Sequence, residues 1–156
     1  MKNKSDKLST GLSGLAGEYF VAAELTRRGF LASIMLRNTK GIDILAATSD
    51  TTRTISIQVK TNQNSDKSWV LNKKSEDIKN NNFFYILVNL ETKSGYPDFH
   101  IVPSEVISRT IADDHSKWLS KPGKKGQKRV DNTIRKFKDT DLKYLNRWDL
   151  LISIFT

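Results

Sequence analysis

The chain has 156 residues, a hydrophobic fraction of 37%, a charged fraction of 28% and a formal net charge of +9 at neutral pH. This size and composition predict one soluble globular domain over residues 1–156. No apolar run is long enough to span a membrane and the first residues lack a signal-peptide core, so we expect a cytoplasmic protein without a membrane partner. The absence of cysteine excludes disulfides and thiolate metal sites, and two histidines are too few for a histidine-rich zinc site.

The first predicted element is a helix near the N-terminus. Residues 1–10 are polar and predict a disordered tail, after which Ser13 is the expected N-cap of a helix that ends near Arg28, before Gly29. Glu18 lies in the second turn with small residues one turn to either side, which leaves room for another group to approach its carboxylate. Helical spacing predicts an apolar stripe that faces the sheet, formed by Leu12, Leu15, Tyr19, Ala22 and Ala23.

A strand over residues 30–36 precedes the most informative stretch of the chain, residues 41–60. Here two apolar-rich runs, GIDILAAT and RTISIQVK, flank a polar SDTT turn, which is typical of an antiparallel hairpin. Strand alternation places Asp43 opposite its isoleucine neighbours and places Gln58 and Lys60 together on one face. We therefore expect a carboxylate, an amide and an ammonium group to converge on one side of this hairpin.

The second half of the chain predicts the remaining layers of an α/β fold. The run FFYILVNL is continuous, apolar and rich in aromatic and β-branched residues, so it is expected to be the central buried strand. Together the elements predict a mixed sheet of four to five strands with helices on both faces. The expected elements are strands at 69–71, 83–90 and 99–102, a short helical turn within 73–82 capped by Ser75, a helix from Ser104 to about Trp118, a basic loop at 120–138 and a closing helix at 139–156.

Positive charge is concentrated near the C-terminus. Residues 117–138 carry nine cations against Asp131 alone, a local net charge of +8. Such clustering is expected of a protein that binds a polyanion, and a solvated loop that aids solubility is the alternative. Trp118 could stack on an unpaired base or anchor the loop. The candidate nucleic-acid contacts are Lys121, Lys124, Lys125, Lys128, Arg129 and Arg135.

The polar face of the hairpin suits metal-assisted phosphodiester hydrolysis. The carboxylate of Asp43 and the amide oxygen of Gln58 are hard ligands of the kind that Mg²⁺ prefers. Lys60 could hold the attacking water and offset the charge of the scissile phosphate. The alternative is a hairpin with one solvated face, on which all three residue types are common. Thr61, Asn62 and Gln63 follow directly and could bond to a substrate backbone or be plain loop residues.

The layout of Asp43, then Gln58-Val59-Lys60 on the next strand, with Glu18 on a preceding helix, resembles the active site of the PD-(D/E)XK nuclease superfamily. That superfamily includes restriction endonucleases and Holliday junction resolvases. The resemblance covers roughly residues 11–103, in the order helix, three strands, helix, strand. Gln58 stands where the family usually has a carboxylate, which is similar to the Q-x-K variant of Mrr-like enzymes.

The resemblance implies a restriction-endonuclease-like fold and a Mg²⁺- or Mn²⁺-dependent endonuclease that acts on DNA. Asp43 and Gln58 would then be metal ligands, the backbone carbonyl of Val59 would complete the shell, and Glu18 would organise the metal or a water. Two other functions stay open: an inactive nuclease-fold module that binds nucleic acid, and a protein-interaction or immunity-type partner. The sequence does not separate DNA from RNA, and the apolar last seven residues could pair two subunits as a homodimer.

Overall fold

The computed structural model describes residues 7–36, 41–64 and 66–153, within which the chain forms seven strands and three α-helices. In none of these residues is there a helix long and apolar enough to cross a membrane. In chain order the elements are α1 (Thr10–Thr26), β1 (Leu31–Ile34), β2 (Ile44–Ala47), β3 (Thr54–Asn62), β4 (Ser68–Asn72), β5 (Phe83–Asn89), β6 (Asp98–Pro103), α2 (Ser104–Ser120), β7 (Ile134–Lys138) and α3 (Asp149–Ser153).

The main sheet has five strands in the order β1-β2-β3-β5-β6. Strands β3 and β5 run parallel, and the other neighbours are antiparallel, so the sheet is mixed as predicted. All seven residues of β5 are buried, which confirms that FFYILVNL is an interior strand, although the middle position belongs to β3. Between β3 and β5 the chain forms β4 and a 3-10 turn, Lys73–Glu76, where the resemblance implied a helix. The side chain of Asn72, not Ser75, caps that turn.

Each face of the sheet packs against its own hydrophobic core. On the first face, α1 and α3 cover Ile44, Ile57 and Ile86. On the second face, α2 and the two-stranded ribbon of β4 and β7 cover Tyr85 and Leu87. Since neighbouring residues of a strand point to opposite faces, β5 supplies one face to each core. The expected sheet flanked by helices is therefore confirmed.

Helix α1 begins earlier and packs by a different face than the sequence predicted. Its N-cap is Ser9, whose Oγ accepts the N–H of Leu12, while Ser13 is buried within the helix. The residues that α1 buries are Ser13, Gly17, Val21, Glu24 and Leu25, whereas Leu12 and Tyr19 of the predicted stripe are 57% and 60% exposed. Of the predicted stripe, Ala22 does pack against the first core. The rest was wrong because apolar side chains are spread around this helix, and the small residues Ser13 and Gly17 allow the closest approach to the sheet.

The expected disordered tail is wrong where the structure describes it. Residues 1–6 lie outside the described residues, and Thr10 already belongs to α1. The N–H of Leu8 donates to Oε1 of Gln63 at 2.9 Å, and Nε2 of Gln63 donates to the carbonyl of Leu8 at 2.9 Å. Gln63 thus holds the entry to α1 against the end of β3.

The predicted basic loop and closing helix also need correction. The loop at 120–138 ends in β7, because Phe137 points into the second core and β7 pairs with β4. The closing helix at 139–156 is reduced to α3, and residues 154–156 lie outside the described residues. Leu142 and Asn146 have φ of 57° and 53°, a left-handed conformation that does not continue a right-handed helix.

Candidate active site

Asp43 lies directly before β2 and is fixed by the backbone on both sides. Its N–H donates to the carbonyl of Ile57 at 2.9 Å, and its carbonyl accepts the N–H of Met35 at 2.9 Å. Its Oδ2 accepts the N–H of Val59 at 2.7 Å. The carboxylate is therefore held at the strand that carries Gln58 and Lys60, which the hairpin pattern had predicted to lie on the same side.

Gln58 and Lys60 are partly buried and share one face of β3, two residues apart. They pair in register with Tyr85 and Leu87 of the parallel strand β5, so they lie at the second face of the sheet. A methyl group on Gly41 would lie 3.6 Å from Nε2 of Gln58, which places the amide over the turn that leads to Asp43. Neither side chain forms a hydrogen bond or an ion pair with any described residue.

The backbone of Val59 lies beside the carboxylate of Asp43. The ladder between β2 and β3 ends at the pair of Ile44 and Ile57, so Val59 lies beyond it. In a strand the N–H and the carbonyl of one residue point to the same side. Because the N–H of Val59 meets Asp43, its carbonyl also points away from β5 and toward the carboxylate.

Helix α1 brings Glu18 to the C-terminal half of β3 through a very close contact at the preceding residue. A methyl group on Gly17 would lie 2.0 Å from Oγ1 of Thr61, so only glycine permits this packing. Glu18 is partly buried beside that contact. Thr61 therefore sets the distance between α1 and β3, and Asn62 donates to the carbonyl of Ser68 at 2.9 Å, which ties β3 to β4. Both residues thus have a role within the fold, while Oγ1 of Thr61 and Oδ1 of Asn62 are buried without a hydrogen-bond partner among the described residues.

The donor chemistry of this region fits a hard divalent cation. Asp43 offers a carboxylate, Gln58 an amide oxygen and Val59 a carbonyl oxygen, all of which suit Mg²⁺ or Mn²⁺. Glu18 offers a second carboxylate from α1, which packs on the face of β3 opposite to Gln58. Oδ1 of Asp43 has no hydrogen-bond partner among the described residues. In the described part of the chain, no three His, Cys, Asp or Glu side chains are grouped so that they could hold a metal ion. A site here would thus depend on the two neutral oxygens.

The predicted nucleic-acid contacts fall into two environments. Lys121 ends α2, and Lys124, Lys125 and Lys128 are exposed in the segment that follows. Arg135 is different, because it is 3% exposed on β7, forms an ion pair with Glu76 and donates to the carbonyl of Asn132 at 2.6 Å. Its position favours a structural role over contact with a phosphate.

Trp118 anchors the basic segment, residues 121–133, which links α2 to β7. Its ring stacks on His115 with centroids 5.4 Å apart, and the guanidinium of Arg129 lies 4.7 Å above it. Nη1 of Arg129 also donates to the carbonyl of Trp118 at 3.0 Å. Nε2 of His115 lies 2.7 Å from Asp131, and hydrogen bonds from His115 and then Lys73 lower the pKa of that carboxyl to about 2. Of the two roles considered for Trp118, the loop anchor fits this structure.

The sequence reasoning did not select Lys117, Lys136 and Lys138, which line one groove with Lys121 and Arg129. The signal was present in the run IRKFK, whose alternation places Ile134, Lys136 and Lys138 on one side of a strand. It was missed because the whole stretch was interpreted as a loop.

The fold is similar to that of a solved structure, a bacterial homing endonuclease, I-Ssp6803I, with a TM-score of 0.56. The match covers 94% of this chain and 95% of the other, at 15% sequence identity. No protein-family model matches the chain, and no curated protein matches its sequence. At this identity the similarity shows a shared fold.

Proposed function

We propose that the protein is a Mg²⁺- or Mn²⁺-dependent endonuclease that hydrolyses phosphodiester bonds in DNA. The observation that carries the proposal is the 2.7 Å hydrogen bond that holds Asp43 at Val59, between Gln58 and Lys60. A carboxylate before β2, with an amide and an ammonium group on the neighbouring strand β3, supports this reaction. The fold that the chain shares with a homing endonuclease supports the same reaction class.

The residues proposed to hold the metal are Asp43, Gln58, Glu18 and Val59, the last through its backbone carbonyl. When bound, the cation supplies Lewis-acid activation of a water and of the scissile phosphate. The N–H of Val59 fixes one oxygen of Asp43 and so orients the other. The contact between Gly17 and Thr61 keeps Glu18 close to β3.

Lys60 is proposed to position the nucleophile. Its ammonium can donate to the attacking water and offset the negative charge that develops on the phosphate. Neighbouring side chains do not compete for it, since no described residue forms an ion pair with Nζ. The strand backbone fixes its direction, because β3 pairs with β5 at Lys60.

DNA is the proposed partner, and the basic segment is the proposed contact. The residues proposed to contact phosphates are Lys121, Lys124, Lys125, Lys128 and Arg129. The buried Arg135 would support the segment from inside the protein. RNA carries the same phosphates, so an RNA of the same sequence belongs in the tests. A homodimer would offer one active site to each strand of a duplex, and it stays a prediction.

A binding module that has lost catalysis is the second candidate. It is favoured by one observation: Gln58 replaces a carboxylate at the proposed metal site, where charge would strengthen metal binding. It leaves unexplained why Asp43 and Lys60 are placed together with no other partner among the described residues.

The test is a cleavage assay on supercoiled, linear, single-stranded and four-way-junction DNA with Mg²⁺ or Mn²⁺. Asp43→Ala and Lys60→Ala should each lower the cleavage rate about 100-fold or more, because a metal ligand or a charged donor is lost. Asp113→Ala and Lys79→Ala make the same changes at exposed positions outside the site and should cut like the wild type. Chelation of the metal should abolish cutting.

Two results would remove the nuclease assignment. The first is a wild type that cuts none of these substrates while it still binds them, which selects the binding module. The second is cleavage that survives both substitutions in the site, which would place the chemistry elsewhere or in a contaminant.

A further inference from the structure

A basic groove lies between the C-terminal half of α2 and strand β7, and it contains none of the candidate active-site residues. It encloses about 790 Å³, and Asp114 is the acidic residue of its wall. Six cations line it: Lys117, Lys121, Arg129, Arg135, Lys136 and Lys138. A concave surface of one charge between low-dielectric walls concentrates the electrostatic field and attracts a polyanion.

The lysines form two rows on two elements. Lys117 and Lys121 are four residues apart at the end of α2, which separates them by about 6 Å. Lys136 and Lys138 are on the same face of β7, about 7 Å apart. Two rows with regular spacing suit a linear anion with repeated charges better than a compact one.

These four lysines are available to a ligand. None of them forms an ion pair with an acidic residue in the described part of the chain. Arg135 is the contrasting case, because it is buried and paired with Glu76. Among the described residues, the unpaired positive charge of the groove is thus carried by the four lysines and by Arg129, which is held at Trp118.

The segment between α2 and β7 is held in place without a ligand. Arg129 joins it to Trp118, and Asp131 joins it to both His115 and Lys73. At its tip, the N–H of Gly123 donates to the carbonyl of Gln127 at 2.8 Å. Binding would therefore need little ordering of this wall, which lowers its entropic cost.

We propose that this groove binds the sugar–phosphate backbone of one DNA strand at a distance from the scissile bond, with Lys117, Lys136 and Lys138 as phosphate contacts. The inference rests on the proposed function in that DNA is taken as the polyanion. The ring of Trp118 is engaged by His115 and Arg129, so the groove reads charge and not bases. Binding through it is independent of sequence.

The experiment compares two triple variants that remove the same charge. The first variant, Lys117→Gln/Lys136→Gln/Lys138→Gln, changes the groove. The second, Lys74→Gln/Lys79→Gln/Lys93→Gln, changes exposed lysines that lie outside both the groove and the segment between α2 and β7. Binding of a fluorescein-labelled duplex, and of one of its strands, is measured in EDTA from 50 to 300 mM NaCl. The groove variant should reduce the slope of log affinity against log salt by about two to three units, and lower affinity roughly 100-fold at 0.1 M salt.

The control variant should keep nearly the full slope, because its lysines act only through long-range attraction. Equal losses in both variants, or no loss in the groove variant, would overturn the proposal. Absence of wild-type binding to either DNA would also overturn it and favour an acidic protein as partner. If the triple variant does not fold by circular dichroism, Lys136→Gln and Lys138→Gln singly must each reduce the slope by about one unit.

EDTA separates this test from that of the nuclease. A wild type that binds with the expected slope but cuts nothing when Mg²⁺ is added would leave the groove in place and remove the catalytic proposal. The duplex and single-strand arms show which form of DNA supplies the backbone. An unlabelled competitor duplex of scrambled sequence should displace the probe as well as the original does.

Discussion

Gln58 determines the charge of the proposed metal site. With Glu18 and Asp43 as the carboxylates, two negative charges would face a divalent cation, one fewer than with glutamate at this position. The amide of Gln58 can still supply an oxygen, because no described residue bonds to it and it lies over the turn at Gly41. The replacement therefore weakens attraction for the metal without removing a ligand.

Gln58→Glu should consequently bind Mg²⁺ more tightly. We expect the Mg²⁺ concentration for half-maximal cleavage to fall roughly tenfold, since one added carboxylate contributes about 1.4 kcal/mol or more to a divalent cation. Isothermal titration without DNA measures the same change directly. Asn81→Asp adds one charge at an exposed turn and should leave the Mg²⁺ dependence unchanged. An identical dependence in Gln58→Glu and wild type would exclude Gln58 as a ligand.

At the level of elements, the contact of α1 with β3 couples the stability of the protein to the geometry of the proposed active site. Gly17 and Thr61 touch so closely that a methyl group at Gly17 would overlap Oγ1 at 2.0 Å. Thr61 lies one residue after Lys60, and Glu18 lies one residue after Gly17. A shift of α1 would therefore move Glu18 relative to the strand that carries Lys60.

Gly17→Ala should destabilise the protein by about 1–3 kcal/mol, the usual range for an overpacked interior. Its metal-dependent cleavage should fall even where the protein is fully folded, because Glu18 is displaced. Gly14→Ala is the matched control, since nothing lies within 4 Å of a methyl group there. That change should stabilise α1 by about 0.4–1 kcal/mol and leave cleavage unchanged. Urea unfolding measures the free energy of unfolding of both variants. Equal values for the two would contradict the close contact between Gly17 and Thr61.

The same elements show what the sequence could predict and why. The hairpin of β2 and β3 has strict alternation, so its local pattern predicted which side Asp43, Gln58 and Lys60 share. The face of α1 is set by how closely glycine lets it approach β3, and apolar periodicity carries no signal of that. Strand β7 was missed because it exists through pairing with β4, more than sixty residues earlier in the chain.

The positive charge near the C-terminus could also be predicted only in part. The local net charge of residues 117–138 was readable from sequence, but the role of each cation was not. Arg135 is buried because β7 turns it toward Glu76, and its neighbour Lys136 is exposed for the same reason. Sequence gives the amount of positive charge, and the register of one strand decides which part of it reaches a ligand.

For the whole molecule, one sheet supports two hydrophobic cores. Tyr85 and Leu87 of β5 belong to the second core, while Ile86 between them belongs to the first. Neither core can lose its strands without exposing the other, since β5 and β6 contribute to both. The proposed active site depends on this arrangement, because β3 carries Gln58 and Lys60 and receives α1 on its opposite face.

The two cores should therefore unfold in one step. Trp69 is 1% exposed in the second core and Trp148 is 6% exposed in the first, so each reports on one face of the sheet. The variant Trp118→Phe/Trp148→Phe keeps Trp69 as its one tryptophan and reports on the second core. The variant Trp69→Phe/Trp118→Phe keeps Trp148 and reports on the first core. Within each variant, the urea transition by fluorescence should coincide with that by far-UV circular dichroism, as two-state unfolding requires. If fluorescence of one core changes at lower urea than the circular dichroism, that layer opens independently, and the site at β3 would be coupled to one core only.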